Sequence, residues 1–234
     1  MIYSKLADIY DDLVKDEEAT KYWVCFVKEN VKGHRILELA CGSGEITVAL
    51  AKAGYNILAT DISPAMLAQA KAKESFPNLE YRLMDMLELP MGVSYDGVIC
   101  FCDSLNYLED YQALAQVFSG VYNVLNEQGV FLFDLHQESR LQEFKNGWRE
   151  EGAIKGLNYS WQIVTQEDKL IHDFTISDAN QVFKEKHHQR VFALKKVKAL
   201  LADAGYDFEV WDDYDIFRED LKEKYFFKAK KLNS

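Results

Sequence analysis

Between residues 34 and 136 five short apolar runs alternate with segments of helical period: HRILELA, YNILATD, LEYRLMD, YDGVICFC and GVFLFDLH. Runs this short and this continuously apolar read as strands buried on both faces. A helix between each pair of such strands demands parallel βαβ units, because two parallel neighbours cannot be joined by a tight turn. The helix signals agree. Ser63 followed by Pro64 is an N-cap and first-turn pair, and Asp110 precedes an apolar stripe of Leu114, Val117, Phe118, Val121 and Leu125.

The flanks complete the plan. Leu6, Ile9, Tyr10 and Leu13, then Tyr22, Trp23, Phe26 and Val27, follow helical spacing, so the chain opens with two helices. From Gly147 to Arg190 polar and apolar residues alternate, as in antiparallel strands joined at QEDK. A helix, LKKVKALLADAG, and two strands, YDFEVWDD and KYFFKAKK, follow. The expected fold is α/β: a doubly wound, Rossmann-like, mostly parallel seven-stranded sheet with a small antiparallel β insertion. N-terminal helices and a cofactor-binding core would occupy 1–146. The insertion, 147–190, would pack over the C-terminal strand ends and form part of the substrate site, and 191–234 would finish the core.

Charge and cysteine usage narrow the function. A net charge of −11 repels phosphate backbones, so nucleic acid is disfavoured as a partner. Cys25, Cys41, Cys100 and Cys102 show neither zinc-type nor disulfide-framework spacing and read as buried free thiols of a reducing, cytoplasmic environment. Cys100 and Cys102 would share one face of the fourth strand. No apolar run has the length of a membrane span, and the N-terminus lacks the pattern of a secretory signal.

The chemistry begins at ILELACGSGEIT, residues 36–47, where the first strand runs into two glycines. In an open parallel sheet ligands sit beyond the carboxyl ends of the strands, where strand order reverses. Gly42 and Gly44 let the main chain approach a ligand there, although G-x-G alone is a weak signal. Asp61 ends the second run, 17 residues after Gly44, where a carboxylate accepts from ribose hydroxyls. Asp85 ends the third, within reach of an adenine amino group. Together these imply an adenosine-containing cofactor. A dinucleotide would require a third glycine where this chain has Thr47. Glu38 beside the loop disfavours a pyrophosphate and suits a ligand carrying an ammonium and a sulfonium.

At these residues the chain resembles the class I S-adenosylmethionine-dependent methyltransferases: LELACGSG, ATDISPAMLAQAK, RLMDMLEL and YDGVICFCDSLNYL follow their order and spacing. YSKLADIYDDL, DSLNYL and EKHHQRVF are similar to the small-molecule branch that includes sugar N-methyltransferases, and to related uncharacterised bacterial methyltransferases. The resemblance implies S-adenosyl-L-methionine as cofactor. Gly42, Ser43 and Gly44 would line its methionine portion, Asp61 its ribose, and Asp85 with Met86 its adenine, with Tyr10 closing the site. Glu38, Ala40, Ile62, Met66, Cys102 and Asp103 complete the expected cofactor-binding set.

The acceptor is less legible. The loop after the fourth strand reads Asp103, Ser104, Leu105, Asn106, without the proline markers of nucleic-acid amino or cytosine carbon-5 methylation. Asp103 and Asp134 could share a divalent cation as in the catechol-type O-methyltransferases, but those families add a further Asp or Asn right after the fifth strand, where this chain has Leu135, His136 and Gln137, so no metal is expected. Proton handling falls to Tyr107, His136 or His187; sugar N-methyltransferases carry a histidine where this chain has Tyr107. Strand alternation sends His187 and His188 to opposite faces, and for each histidine a structural role competes with catalysis. Trp148, Tyr159, Trp161 and Phe174 could form a lid or could simply pack a thin sheet, and Arg190 could bind an anionic group or pair with a nearby acid. The reading is metal-independent methyl transfer to nitrogen or oxygen of a small-molecule acceptor by a monomer or homodimer. An RNA- or protein-directed methyltransferase and a non-enzymatic nucleoside-cofactor-binding protein are the alternatives.

Overall fold

The computed structural model describes residues 5–90, 92–213 and 222–232; the first two residues of the YSKLADIYDDL motif lie outside them. The five apolar runs are strands: β1 (Arg35–Glu38), β2 (Asn56–Asp61), β3 (Leu79–Leu83), β4 (Tyr95–Cys100) and β5 (Leu125–His136). With β10 (Tyr206–Asp212) and β11 (Lys224–Lys231) they form a seven-stranded sheet in the order β10-β11-β5-β4-β1-β2-β3. Only β11 runs against its neighbours. Chain order reverses between β1 and β4, which fixes the crevice at their carboxyl ends.

Alternation along the strands feeds two cores. Leu37, Val98, Phe131 and Phe133 face helices α5 (Tyr111–Val124) and α7 (Leu194–Asp203). Ile36, Ile99, Val130 and Leu132 face α2 (Glu17–Asn30) and α3 (Glu45–Lys52) through Trp23, Val27 and Leu50. Each fully buried aliphatic or aromatic side chain contributes about 1.5–3 kcal/mol. β3 departs from the expectation of a buried strand. It is the sheet's edge, and its residues are all exposed or half-buried.

The caps behave as read. Ser63 Oγ accepts from Met66 N at the start of α4 (Pro64–Ala72), and Asp110 Oδ1 accepts from Ala113 N. Leu125, placed on the α5 stripe by spacing, opens β5 instead. At the N-terminus the helical spacing yields a single 3₁₀ turn over Leu6–Asp8 and a short α1 (Tyr10–Val14) before α2. A further short helix, α6 (Ser139–Glu143), follows β5.

A second sheet, antiparallel in the order β6-β7-β8-β9, comprises β6 (Trp148–Ile154), β7 (Leu157–Gln166), β8 (Lys169–Ser177) and β9 (Val182–Arg190). Phe174 and Ile176 receive Leu6 and Ile9 from the N-terminal strap, and Ile163 and Leu170 pack on Phe144 and Val191. Asn106 Nδ2 donates to Arg190 O, 2.6 Å away, tying β9 to the loop after β4. The small sheet and the strap thus cover the carboxyl ends of the large sheet. Among the described residues no helix is long and apolar enough to cross a membrane.

Candidate active site

Pairing continues past the end of β1: Leu39 N donates to Ile99 O, and Cys41 N donates to Thr60 O. The chain is therefore held between β4 and β2 as it turns. Ala40 (φ 52°) and Gly42 (φ 55°) are both left-handed, a conformation that favours glycine. Asp61 closes the turn, its carboxylate accepting from Gly42 N and from Ser63 N, each at 2.8 Å. Burial pushes the Asp61 carboxyl up, and the Ser63 and Gly42 amides work against that shift.

This loop lines a crevice with Glu38, Ser43, Asp61, Ile62, Met66 and Met86, roofed by Tyr10 and Asp11 of α1. Glu38 is 4 % exposed and lines the crevice, and its Oε2 is buried without a hydrogen-bond partner among the described residues. Burial pushes its carboxyl up to about 8, with the nearby Thr47 hydroxyl opposing the shift.

A second cavity, of about 580 Å³, adjoins the first. Tyr10, Trp23, Cys102 and Tyr107 stand on the wall common to both. The second cavity runs between the strap and the small sheet, past Asp103, His136, Arg140, Trp161, His172, Phe174 and Lys224. Lys224 Nζ lies 3.0 Å from Asp103 Oδ1 and 3.0 Å from Asp134 Oδ2. Burial works against the ammonium, but the two carboxylates outweigh it and hold Lys224 well above its usual range. Burial would likewise raise Asp103, yet His136 and Lys224 hold it below the usual carboxylate range. Asp134 is driven up by burial, against Lys224. His136 Nδ1 faces Asp103 Oδ1 at 3.4 Å and its Nε2 faces Gln189 Oε1 at 3.1 Å. Burial lowers His136 in spite of Asp103, so the imidazole is neutral near pH 7.

A family model described as a methyltransferase domain matches residues 36–129. The Bacillus subtilis protein YqeM, named as a methyltransferase, is 33 % identical over 99 % of this chain and 98 % of its own. The chain belongs to the methyltransferase family. Among solved structures, a S-adenosylmethionine-dependent methyltransferase from Clostridium acetobutylicum superposes with a TM-score of 0.82 at 25 % identity, covering 99 % of both chains. The sugar N-methyltransferase KedS8 from Streptoalloteichus shares the fold, with a TM-score of 0.78 at 22 % identity over 96 % of this chain and 92 % of that one.

The methyltransferase places several expected cofactor residues elsewhere. Asp85 does not line the crevice, since β3 ends at Leu83 and Asp85 falls in the following turn, where it accepts from Leu87 N. Met86 does line it. Gly44 (φ 81°) also stands back: a Cβ there would meet Tyr81 Oη at 2.9 Å and the Ala70 Cβ at 3.0 Å. It gives the helix its close approach, the role that a dinucleotide motif assigns to its third glycine. Asp103 lines the second cavity and not the first.

The catalytic candidates separate too. Tyr107 lines both cavities and His136 the second, whereas His187 lies behind Tyr107, buried, and lines neither. His188 is exposed. Cys102 is not in the strand, which ends at Cys100; Cys102 (φ 58°) and Asp103 (φ 59°) make a left-handed turn. Only Cys100 of the four thiols is buried. Cys102 opens on the cavities, but the protein around it excludes bulk water, and that desolvation pushes its thiol up to about 12. It is no thiolate nucleophile. Trp161 and Phe174 line the second cavity while Trp148 and Tyr159 do not, and Arg190 pairs with Asp168.

Sequence reasoning missed Lys224, His172 and Arg140. Lys224 sits in KYFFKAKK, read only as a strand, and nothing local announces its reach to Asp103 and Asp134. His172 Nδ1 accepts from Trp161 Nε1 at 3.2 Å, which leaves its Nε2 as the protonated nitrogen. Burial lowers His172 to about 4, so it stays neutral. The signal was available in LIHDFTI, where an alternating strand turns a histidine inward.

Proposed function

We propose that the glycine-loop crevice takes S-adenosylmethionine and that the adjoining cavity takes a small-molecule acceptor, methylated on nitrogen or oxygen without a metal ion. The observation that carries this reading is the common wall of Tyr10, Trp23, Cys102 and Tyr107 between two cavities. In-line transfer requires donor and acceptor to meet through such an aperture with water kept out.

The residues fit the donor. A Cβ added at Gly42 would meet nothing within 4 Å, so the backbone at that point of the crevice wall faces open space. The Glu38 carboxyl on the crevice wall, whose Oε2 has no partner among the described residues, suits the donor's ammonium. Asp61 retains lone pairs beyond those its two amides occupy, and these suit ribose hydroxyls. Ile62 and Met86 offer apolar surface for adenine, and Tyr10 lies over the opening. When bound, the sulfonium supplies an electrophilic methyl group. The protein's part is to align the acceptor atom, to exclude water and to hold a proton where the acceptor carries one.

The second cavity falls within the size range of small-molecule sites. Its walls carry Asp16, Glu18, Asp213 and Glu223 besides Arg140 and Lys224, a field that repels a phosphate backbone. Calorimetry with S-adenosylmethionine, its demethylated product and NAD tests the donor site. The first two should bind and NAD should not; binding of NAD alone would overturn the reading. Screening amines and alcohols for release of the demethylated product tests the acceptor, and turnover only with RNA or protein would overturn that part.

A further inference from the structure

On β9 the inward positions are Glu185, His187 and Gln189, while Lys184, Lys186 and His188 face solvent. A sheet that merely covered the core would place apolar side chains at those three inward positions. Burying a carboxyl and an imidazole there is unfavourable unless each is paired. Among the described residues one line of pairing runs through them. Tyr107 Oη lies 3.1 Å from His187 Nδ1, and His187 Nε2 lies 3.5 Å from Glu185 Oε2. Glu185 Oε1 in turn accepts from Lys5 N at 2.6 Å and from Leu6 N at 2.9 Å.

We propose that Tyr107, His187 and Glu185 form a buried proton relay leading from the methyl-acceptor cavity to the N-terminal strap. Tyr107 is the catalytic member, at the common wall of the two cavities, and His187 and Glu185 are positioning residues behind it. This rests on reading the second cavity as the acceptor site.

The direction of the relay follows from donors and acceptors. A carboxylate accepts, so His187 carries its proton on Nε2, toward Glu185, and Nδ1 is left to accept from the Tyr107 hydroxyl. When the acceptor's N–H or O–H bond breaks, its proton goes to Tyr107 Oη, and the tyrosine's own proton passes to His187 Nδ1. The electron pair stays on the acceptor atom, no electrons change hands, and the positive charge ends on an imidazolium facing Glu185. Burial lowers His187, with Glu185 opposing, so it starts neutral and able to receive. Among the described residues, the titratable groups facing it are Tyr107 from the turn after β4, His172 opposite it on β8 and Glu185 on its own strand; the Phe174 ring packs against it at 5.3 Å. His188, next in sequence, points to the other face and adds a repulsive charge only when protonated. Because the strap amides hold Glu185, the relay is complete only with Lys5 and Leu6 seated.

Nitrogen-15 histidine spectra of the full chain, with His187 assigned by its loss in His187→Asn, test the relay without any acceptor. The wild type should show the Nε2–H tautomer. Glu185→Gln should move His187 titration down by about one pH unit, since a nearby anion favours the imidazolium. Tyr107→Phe should release Nδ1 and mix the tautomers. An Nδ1–H tautomer in the wild type, or titration indifferent to both substitutions, overturns the relay, and the wild-type spectrum decides even if a variant does not fold. With an acceptor from the screen, Tyr107→Phe should lower kcat about 100-fold, and an unchanged kcat also overturns it. Calorimetry of the same wild-type sample with S-adenosylmethionine separates the two readings, because failure to bind there condemns the donor site and not the tautomer.

Discussion

Lys224 Nζ lies 3.0 Å from Asp134 Oδ2 at the floor of the second cavity, and the same ammonium is 3.0 Å from Asp103 Oδ1. One strand from the end of the chain thus supplies the positive charge between carboxylates that follow β4 and close β5. Removing it would strand two acids in a place where Asp134 is fully buried. Lys224→Met should therefore destabilise the protein by about 3 kcal/mol at pH 8. The loss should shrink toward pH 5, as Asp134, which burial drives up, takes up its proton and no longer needs a counter-charge. Urea unfolding at the two pH values measures the difference, and an equal loss at both would show that packing matters here and charge does not.

The same geometry bears on metals. With the ammonium bridging Asp103 and Asp134, the charge that a divalent cation would bring is already supplied. Among the described residues no group of three or more His, Cys, Asp and Glu side chains could hold an ion. Neither EDTA nor added magnesium should change the melting temperature or S-adenosylmethionine affinity, as read by differential scanning fluorimetry and calorimetry.

Glu38 gives a pH dependence with a defined sign. Burial holds its carboxyl protonated up to about 8, so a cationic ligand must displace that proton to gain the ion pair. S-Adenosylmethionine affinity should rise with pH through neutrality and level off above about 8, with one proton released per ligand bound. In the free protein the shift acts the other way on stability: the raised group contributes fully below the unfolded value near 4.5, and that contribution is lost as pH climbs through 8. Calorimetry in buffers of different ionisation enthalpy counts the proton. Glu38→Gln should abolish both the release and the slope.

What the sequence disclosed depended on range. The alternation of apolar runs, the Ser63 and Asp110 caps and the reversal of strand order are consequences of local period and short connections, and these were readable. The places of Gly42 beyond β1 and of Asp61 at the end of β2 were readable because the apolar runs stop there. Asp85 lies two residues beyond the end of β3, accepting from Leu87 N; periodicity does not fix a strand end to within two residues. Cys102 misled for a related reason: its left-handed φ leaves no mark in an apolar string. Lys224 with Asp103, and Glu185 with Lys5, are pairs separated by most of the chain, so only tertiary packing brings them together.

Asp61 should be the most sensitive position for the donor. Its carboxylate both fastens Gly42 and starts α4 at Ser63, so Asp61→Ala removes the ligand contact and the support of the loop at once. Charge-assisted hydrogen bonds of this kind are worth about 1.5–3 kcal/mol each, and S-adenosylmethionine affinity should fall by about 100-fold or more. Calorimetry checks this, and an unchanged affinity would remove the ribose assignment.

The strap over the crevice is latched by charge. Asp11 accepts from the Ser43 hydroxyl and pairs with Lys73 at 2.6 Å, and Lys73 also pairs with Glu45 at the start of α3. These side chains are partly exposed, so the latch is worth about 1 kcal/mol at most. That is about fivefold in the equilibrium between open and closed strap. Asp11→Asn should accordingly speed dissociation of S-adenosylmethionine by up to about fivefold in stopped-flow chase experiments. Because opening the strap is a local event, it should leave global unfolding almost untouched. A large loss of global stability with no change in the dissociation rate would mean that Asp11 supports the fold and does not guard the crevice.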